Sequence, residues 1–381
     1  MENLSLVEFL KDLEELVSIE SGTSDTEGVI KIGNVIKEKF SAISNTITAR
    51  NAEMATTKAP CLEIFNKDDK AFDVLLLCHM DTVFPHGTLE KVPFKIENGK
   101  IYGAGAHDMK ASIVMAYHVF KMLHSNNELD KISICLAVNA EEEIGSRNAK
   151  AWIESLAKKS KYVICCEPAR ENGAMIMERK GLGRLKIEIH GKAVHAGVNP
   201  WDGVSAINIL AHWILELNKL NNYEIGTSLN MGLISGGIGV NTVADYACGQ
   251  LDLRVEDMKE YDKIMAKVEE LKEWTAKEKG KADVSGGITR PVMKATEKSM
   301  EFTKIVSEVA AKYNFTPEWI KTGGGSDANF TAALGVPTLD GFGPAGAGAH
   351  SEHEYVVMDT IIPHTNLTYD TIIAIGKKIH G

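Results

Sequence analysis

Three apolar runs each end in side chains able to ligate a cation or carry a proton. FDVLLLC, residues 72–78, passes directly into His79, Met80 and Asp81. On an extended chain, residues two apart point to the same side, so the imidazole and the carboxylate emerge together. ISICLAVN, 132–139, leads through Ala140 into Glu141, Glu142 and Glu143, and YVICC, 162–166, leads into Glu167 and Pro168. Each alone has an ordinary explanation: a hydrogen-bonded His–Asp pair, acids near a helix N-terminus, an exposed glutamate. Three in succession crowd carboxylates at one place, and a multivalent cation is the natural compensation. Two more groups come from glycine-rich stretches. Asp108 follows Gly103-Ala104-Gly105-Ala106-His107, where a turn gives way to a helix, and His350 closes Gly343-Pro344-Ala345-Gly346-Ala347-Gly348-Ala349. Two histidines, one aspartate and two glutamates suit zinc or cobalt better than magnesium. Two such ions sharing a carboxylate would stand about 3.5–4 Å apart.

The elements that must position these groups come in two styles. Leu6, Phe9, Leu10, Leu13, Leu16 and Val17 recur at helical spacing, as do Val29, Ile32, Val35, Ile36 and Phe40. The unbroken apolar runs read as strands buried on both faces, and Asn98-Gly99 marks a hairpin. With helices over roughly 110–124 and from about 148, strands and helices alternate as in a parallel sheet covered on both sides. Such sheets gather their ligands at the carboxyl ends of the strands. Near residue 180 the pattern changes: Leu185, Ile187 and Ile189 alternate with polar neighbours. A helix over about 203–220, two strand-like segments (SLNMGLI and ADYACGQLDLRV) and a charged helix over about 257–278 follow, with an exit at Arg290-Pro291. That order is a split βαβ, ferredoxin-like unit. The expected fold is therefore α/β, a mostly parallel catalytic sheet flanked by helices. It is built from residues 1–179 and 291–381 and interrupted at 180–290 by an α+β lid or dimerisation domain.

Composition removes several alternatives. The 381 residues carry 42 Lys+Arg against 52 Asp+Glu, a net charge of −10, with 44% hydrophobic and 25% charged content. Disorder, a collagen repeat and a disulfide scaffold are excluded by these figures, and no basic excess exists to neutralise nucleic-acid phosphates. Acidic residues crowd the N-terminal segment with no basic region before an apolar run, and no stretch reaches the roughly 20 apolar residues of a membrane helix. Cysteines at 61, 78, 135, 165, 166 and 248 form no CxxC pair. Reduced thiols in a cytoplasmic protein, with neither a membrane nor a nucleic-acid partner, are the expectation.

The segments CHMDTVF (78–84), GAGAHDMK (103–110), AEEEIGS (140–146), CCEP (165–168), HGKAVHAG (190–197), GGGSDA (323–328) and AGAHSEHEY (347–355) run in a telling order. Over nearly the whole chain that order resembles the di-zinc aminoacylase and carboxypeptidase family of metallopeptidases. The family includes glutamate carboxypeptidase, acetylornithine deacetylase, succinyl-diaminopimelate desuccinylase and peptidase T. The resemblance implies that His79, Asp108 and Glu167 hold one zinc and that Asp108, Glu143 and His350 hold the other. Asp108 is then the bridge, and Co2+ or Mn2+ are substitutes. It also implies Glu142 as the general base toward a metal-bridging water, and Asp81 as a hydrogen-bond partner fixing the His79 tautomer.

His195, by the same resemblance, polarises the scissile carbonyl from the partner subunit, which implies a homodimer through the inserted domain. Arg254 matches the anion-binding arginine for the substrate's carboxylate, and Asn241 a polar residue near the oxyanion. Gly323, Gly324 and Gly325 would let the backbone approach the substrate, with Ser326 nearby. Arg179 and Lys180 sit at the domain junction. Glu141 stands where the family commonly has Asp, and His107 and Ala111 stand where it has a small apolar residue and a glycine.

EPARENGAMIMERKG (167–181) and the HAGVNPWDG continuation lie nearest to glutamate carboxypeptidases in wording. The resemblance therefore implies zinc-dependent hydrolysis of an amide or peptide bond beside a free C-terminal carboxylate. The substrate would be a small peptide or N-acyl amino acid, with glutamate the first residue to test as product. An N-acyl-amino-acid deacylase, aminopeptidase or dipeptidase uses the same metal chemistry and stays open. A non-catalytic metal-binding protein on this fold is the alternative of another class, and Glu142, which metal binding does not require, argues against it.

Overall fold

The strand Phe72–His79 is buried along its whole length, and the candidate ligands are arranged around its carboxyl end. The computed structural model describes residues 4–67, 70–313 and 316–381. The chain packs as two units. One comprises Met1–Glu178, Met293–Thr322 and Ser326–Gly381; the other comprises Arg179–Val292 with Gly323–Gly325.

The first unit is built on a six-stranded sheet in the order Thr48–Asn51, Leu62–Phe65, Ile134–Asn139, Phe72–His79, Ser160–Cys165, Thr338–Leu339. The last four run parallel, as the unbroken apolar runs predict. The first two are antiparallel additions at one edge. They escape the sequence pattern because they are four residues each and one carries Glu63, a buried acid paired with Arg50 and with the indole N–H of Trp152. Register decides the site. His79 stands opposite Asn139 and Leu77 opposite Cys165, so three parallel strands end level with one another.

Helices complete the layers. Leu6–Val17 starts at Ser5, whose hydroxyl accepts the Glu8 amide, and buries Phe9, Leu13, Leu16 and Val17. Thr26–Ser41 starts at Asp25, which caps the Gly28 amide. Ala111–Ser125, Lys150–Lys158, Glu297–Ala310 and Ile361–His380 share the same core, which joins Phe9 near one end of the chain to Ile375 near the other. Truncating Leu75 or Leu76 to alanine would cost about 2–5 kcal/mol in so complete an enclosure. The regular helix Ala111–Ser125 matches the span of roughly 110–124 read from the sequence. Residues Ala106–Lys110 form a distorted turn in which Asp108 and Met109 are non-helical, so Asp108 projects from the turn itself.

A small antiparallel sheet joins Gly346–Ala347, Tyr355–Val357, Lys100–Tyr102 and Lys95–Glu97. Asn98 and Gly99 both take positive φ, as their hairpin requires. All six cysteines are free and buried, and among the described residues no helix is long and apolar enough to cross a membrane.

The second unit is a four-stranded sheet in the order Ser228–Gly236, Tyr246–Val255, Gly181–His190, Lys281–Arg290, antiparallel throughout. Leu185, Ile187 and Ile189 point into a core shared with Ala206–Asn218 and Met258–Lys277. The charged helix contributes Ile264, Val268 and Leu271, one stripe among many lysines and glutamates.

Candidate metal centre

His79 is the last residue of its strand and its side chain is fully buried. Nδ1 lies 2.9 Å from the backbone carbonyl of Asp81 and 3.5 Å from the Asp81 carboxylate. A proton held on Nδ1 by that carbonyl leaves the Nε2 lone pair outward. Nε2 faces Asp108 Oδ1 at 3.1 Å and Glu167 Oε1 at 3.7 Å. The ring is therefore oriented by the Asp81 carbonyl at the shorter distance, with the carboxylate behind it. The reason is local: the Asp81 carboxylate accepts the amides of Glu142 and Glu143 at 3.0 and 3.2 Å and the Thr23 hydroxyl at 2.7 Å.

His350 takes a left-handed conformation, φ 65°, at the tip of its loop. Its Nε2 reaches Asp108 Oδ2 at 3.3 Å and Glu143 Oε2 at 3.1 Å. The two oxygens of Asp108 thus face two different imidazoles. Ligating atoms of His79, Asp108 and Glu143 lie within 4.8 Å of one another, and so do those of His79, Glu142 and Glu167. Glu142 therefore stands in the cluster itself.

The electrostatics are those of acids crowded without enough positive charge. Burial, then the Asp108 charge, pushes the Glu167 carboxyl well above the usual range, and burial also raises Glu143. Glu143 Oε1 is buried with no hydrogen-bond partner. Burial acts to raise Asp108, but hydrogen bonds from His350 and His79 outweigh it and hold that carboxyl well below its ordinary value. Burial acts against protonation of His79, and Asp108 and Asp81 outweigh it, so its pKa stands well above normal. Asp108 and Glu143 push His350 up to about 11. A donor set of two imidazoles and several carboxylates, one oxygen of it orphaned, fits divalent cations of the zinc type.

Sequence reasoning missed the supports of this cluster. Glu141 is buried and caps the amides of Asn148 and Ala149 at 2.5 and 3.1 Å, anchoring the far side of the glutamate run. Asn139 and Ser146 both bond to Asp327, at 2.7 and 2.5 Å. Ser326, read as a neighbour of the substrate, is instead fully buried and donates to Asp340 at 2.6 Å. No spacing rule reveals such partners; polar residues inside apolar surroundings were the available signal.

His195, Asn241, Arg254, Gly324 and Gly325 belong to the second unit. The structure brings His195 and Asn241 side by side: His195 bridges to Thr242, and the Ala196 amide donates to the Asn241 carbonyl at 2.9 Å. His195 is exposed, and its Nδ1 accepts the Gly197 amide at 3.1 Å, which leaves the ring proton on Nε2 as a donor. Arg254 Nη1 donates to the Gly323 carbonyl at 3.2 Å, and Arg179 Nη1 donates to the Gly324 carbonyl at 3.1 Å. A Cβ on Gly325 would stand 2.7 Å from Arg290 Cδ and 2.8 Å from Leu182 Cδ1, so those side chains would have to shift, whereas Gly323 faces open space. Lys180 donates to the Gly226 carbonyl at 2.7 Å.

The sequence profile of Peptidase family M20/M25/M40 matches residues 75–374, the stretch that carries every residue of the cluster. The chain belongs to this family. Carboxypeptidase G2 of Pseudomonas sp. (strain RS-16) is 30% identical to it over 361 residues, 92% of this chain and 85% of the relative. Aminopeptidase PepT from Bacillus cereus ATCC 10987 superposes with a TM-score of 0.83 at 24% identity, covering 98% of this chain and 99% of that one. The Bacillus subtilis YXEP protein, described as a dinuclear metal-binding peptidase of family M20, gives 0.71 at 12% identity over 97% of both chains. This M20 member is accordingly a hydrolase of the metallopeptidase type.

Proposed function

We propose that this M20 metallopeptidase is a carboxypeptidase that hydrolyses the amide bond next to a free C-terminal carboxylate, with glutamate the first residue to test as product. The observation that carries the reading is the setting of Arg254. Asp252 takes its Nε and Nη2 at 2.8 and 3.1 Å and the Gly323 carbonyl takes Nη1 at 3.2 Å. A guanidinium has five N–H donors, so two remain in a fork already held in place, the geometry that receives a carboxylate. The similarity to carboxypeptidase G2 along most of the chain supports the same reading.

In this proposal His79, Asp108 and Glu167 hold one zinc and Asp108, Glu143 and His350 the other, with Co2+ or Mn2+ as substitutes. Divalent cations bound there supply Lewis acidity. Glu142 takes the proton of the attacking water and returns it to the departing amine. Asp81 keeps the His79 ring and the glutamate amides in register. His195 donates its Nε2 proton to the scissile carbonyl oxygen and Asn241 stands beside it.

The protein works as a homodimer through the second unit, with His195 acting in trans. The strand Ser228–Gly236 is a sheet edge, and Leu233, Ile234, Ile238 and Val240 on and beside it are 64–105% exposed, which supports that arrangement. Six free cysteines fit a cytoplasmic setting.

The test is a release assay on protein loaded with zinc or cobalt. Its substrates are C-terminal Glu, Asp and neutral dipeptides, N-acetyl and N-succinyl amino acids, and folyl-glutamate. Preference for acyl-glutamates is the expected result; preference for substrates with free amino termini overturns it.

A further inference from the structure

One buried acid next to the cluster has no assigned role. Glu354 is fully buried, and neither of its oxygens receives a well-formed hydrogen bond. Its nearest donors are the backbone amides of Gly105 and Ala106, close enough to favour the charged form though not aligned with it. A carboxylate so enclosed and so poorly partnered is costly, and nothing in the packing of the sheet calls for one. Burial pushes its pKa up to about 8.

Its place in the chain gives the reason. Glu354 lies four residues beyond His350, in the hairpin formed where Gly346–Ala347 pairs with Tyr355 and Val356. The hairpin is tight: Ser351 donates its amide to Gly348 at 3.0 Å and Glu354 donates its own to Ser351 at 3.2 Å. Its returning strand pairs with Lys100–Tyr102, which runs straight into the turn that presents Asp108. The hairpin that carries one imidazole and the turn that carries the shared carboxylate are therefore laid side by side. His107 packs into the same seam. It is buried, its Nδ1 has no hydrogen-bond partner, and a Cβ on Gly346 would stand 2.6 Å from that nitrogen.

The turn is also held by Lys110. That lysine is buried, and its ammonium donates to the carbonyls of Ile19 at 2.8 Å and Ala104 at 3.3 Å. Glu354 is the first of the carboxylates whose charge acts on it. The Lys110 side chain thus grips the turn by a carbonyl while the Glu354 carboxyl group faces its next two amides. Gly103 and Gly105 supply the positive φ angles that turn the peptide groups this way.

We propose that Glu354 is a positioning residue which, opposed to Lys110 across the turn at residues 103–106, fixes the spacing between Asp108 and His350. The proposal rests on the reading of Asp108 and His350 as metal ligands. It predicts that Glu354 governs the cation position that uses His350 and leaves the position built on His79 and Glu167 largely alone. An acid reaching ligands through the backbone behaves as outer-sphere partners do, and their removal weakens metal binding about 10- to 100-fold.

The experiment is a stepwise Co2+ titration of the full chain followed by visible absorption, with metal content checked after equilibrium dialysis. Wild type, Glu354→Ala, Glu354→Gln and His350→Ala are compared, the last to identify the affected step. Thermal unfolding verifies that each variant is folded. Wild type takes up two Co2+. Glu354→Ala weakens the His350-dependent step by about 10- to 100-fold, and Glu354→Gln, which keeps the size and one acceptor oxygen, recovers part of the loss. Should Glu354→Ala fail to fold, the glutamine variant carries the test, and an intermediate loss confined to the same step supports the proposal. Titrations of the folded variants indistinguishable from wild type, or equal weakening of both steps, overturn it. Wild-type protein that takes up no Co2+ overturns the metal reading itself and this proposal with it.

Discussion

The carboxylate of Asp81 accepts the backbone N–H of Glu142 at 3.0 Å, joining two residues 61 positions apart in the chain. The Glu142 main chain is therefore fixed by a bond in which its own side chain takes no part. Glu142→Gln should keep the loop and the bound metal of the wild-type protein while kcat falls by about 100- to 10,000-fold, the range of a lost general base. Steady-state kinetics beside metal analysis of the same preparation decide it. Unchanged turnover would sink the role given to Glu142.

The opposed oxygens of Asp108 lead to a difference in stoichiometry. Asp108→Ala should lose both cations, since each oxygen faces a different imidazole, at 3.1 and 3.3 Å. His350→Ala should retain one. Metal-to-protein ratios after dialysis read this directly. Chelation of wild-type protein should also lower Tm, because a cation at 100 times its Kd stabilises by about 2.7 kcal/mol.

Arg254→Ala should cost about 100-fold in kcat/KM on substrates with a free C-terminal carboxylate, near 3 kcal/mol for two charge-assisted hydrogen bonds. Substrates amidated at that end should change little. Arg254→Lys should resemble the alanine variant, because an ammonium cannot span Asp252 and a substrate carboxylate as a fork does. Equal losses on both substrate types would assign Arg254 to folding instead.

Mixing His195→Ala subunits with Asp108→Asn subunits should restore part of the activity that each lacks alone. A heterodimer then holds one site with an intact cluster and an intact histidine donated in trans. Absence of any recovery counts against both the trans-acting histidine and the dimer.

Asp12 gives a pH dependence remote from the cluster. It takes His118 Nε2 at 2.9 Å and Lys39 Nζ at 2.8 Å, joining three helices. Burial acts to raise its pKa, but these two partners outweigh it and hold the carboxyl below the ordinary aspartate range. A depressed carboxyl contributes stability above its unfolded value and loses it as pH falls through the folded one. Urea midpoints should therefore drop between about pH 5 and pH 2. Asp12→Asn should flatten that drop and lower stability at pH 7 by about 1–3 kcal/mol.

His79, the glutamate run and Glu167 were legible in the sequence because each follows an uninterrupted apolar run, and register then brings the run ends level. The alternation of Leu185, Ile187 and Ile189 likewise matches a strand with one covered face. What was not legible depends on distance in space. Thr23 bonds Asp81 across 58 residues and Asn139 bonds Asp327 across 188, and neither pair leaves a local pattern. The strand Leu62–Phe65 is too short for periodicity, and its buried Glu63 reads as surface until Trp152 and Arg50 are seen around it. The Asp81–His79 contact follows from the sequence, but which Asp81 oxygen lies nearer the ring does not, since the chain sequence does not reveal that two amides claim that carboxylate.

The core that joins Phe9 to Ile375 has a consequence for how the protein is made. Residues 179–292 are contiguous and gather a core of their own, so on the ribosome they can collapse while the first unit still waits for its last third. The cluster is later still. Its members are spread from His79 to His350, and a nascent chain that has not yet exposed residue 350 lacks one of the two imidazoles. A cation position that used His350 would therefore be completed only when synthesis had nearly reached the final helix, whereas His79, Asp108 and Glu167 are all present by residue 167.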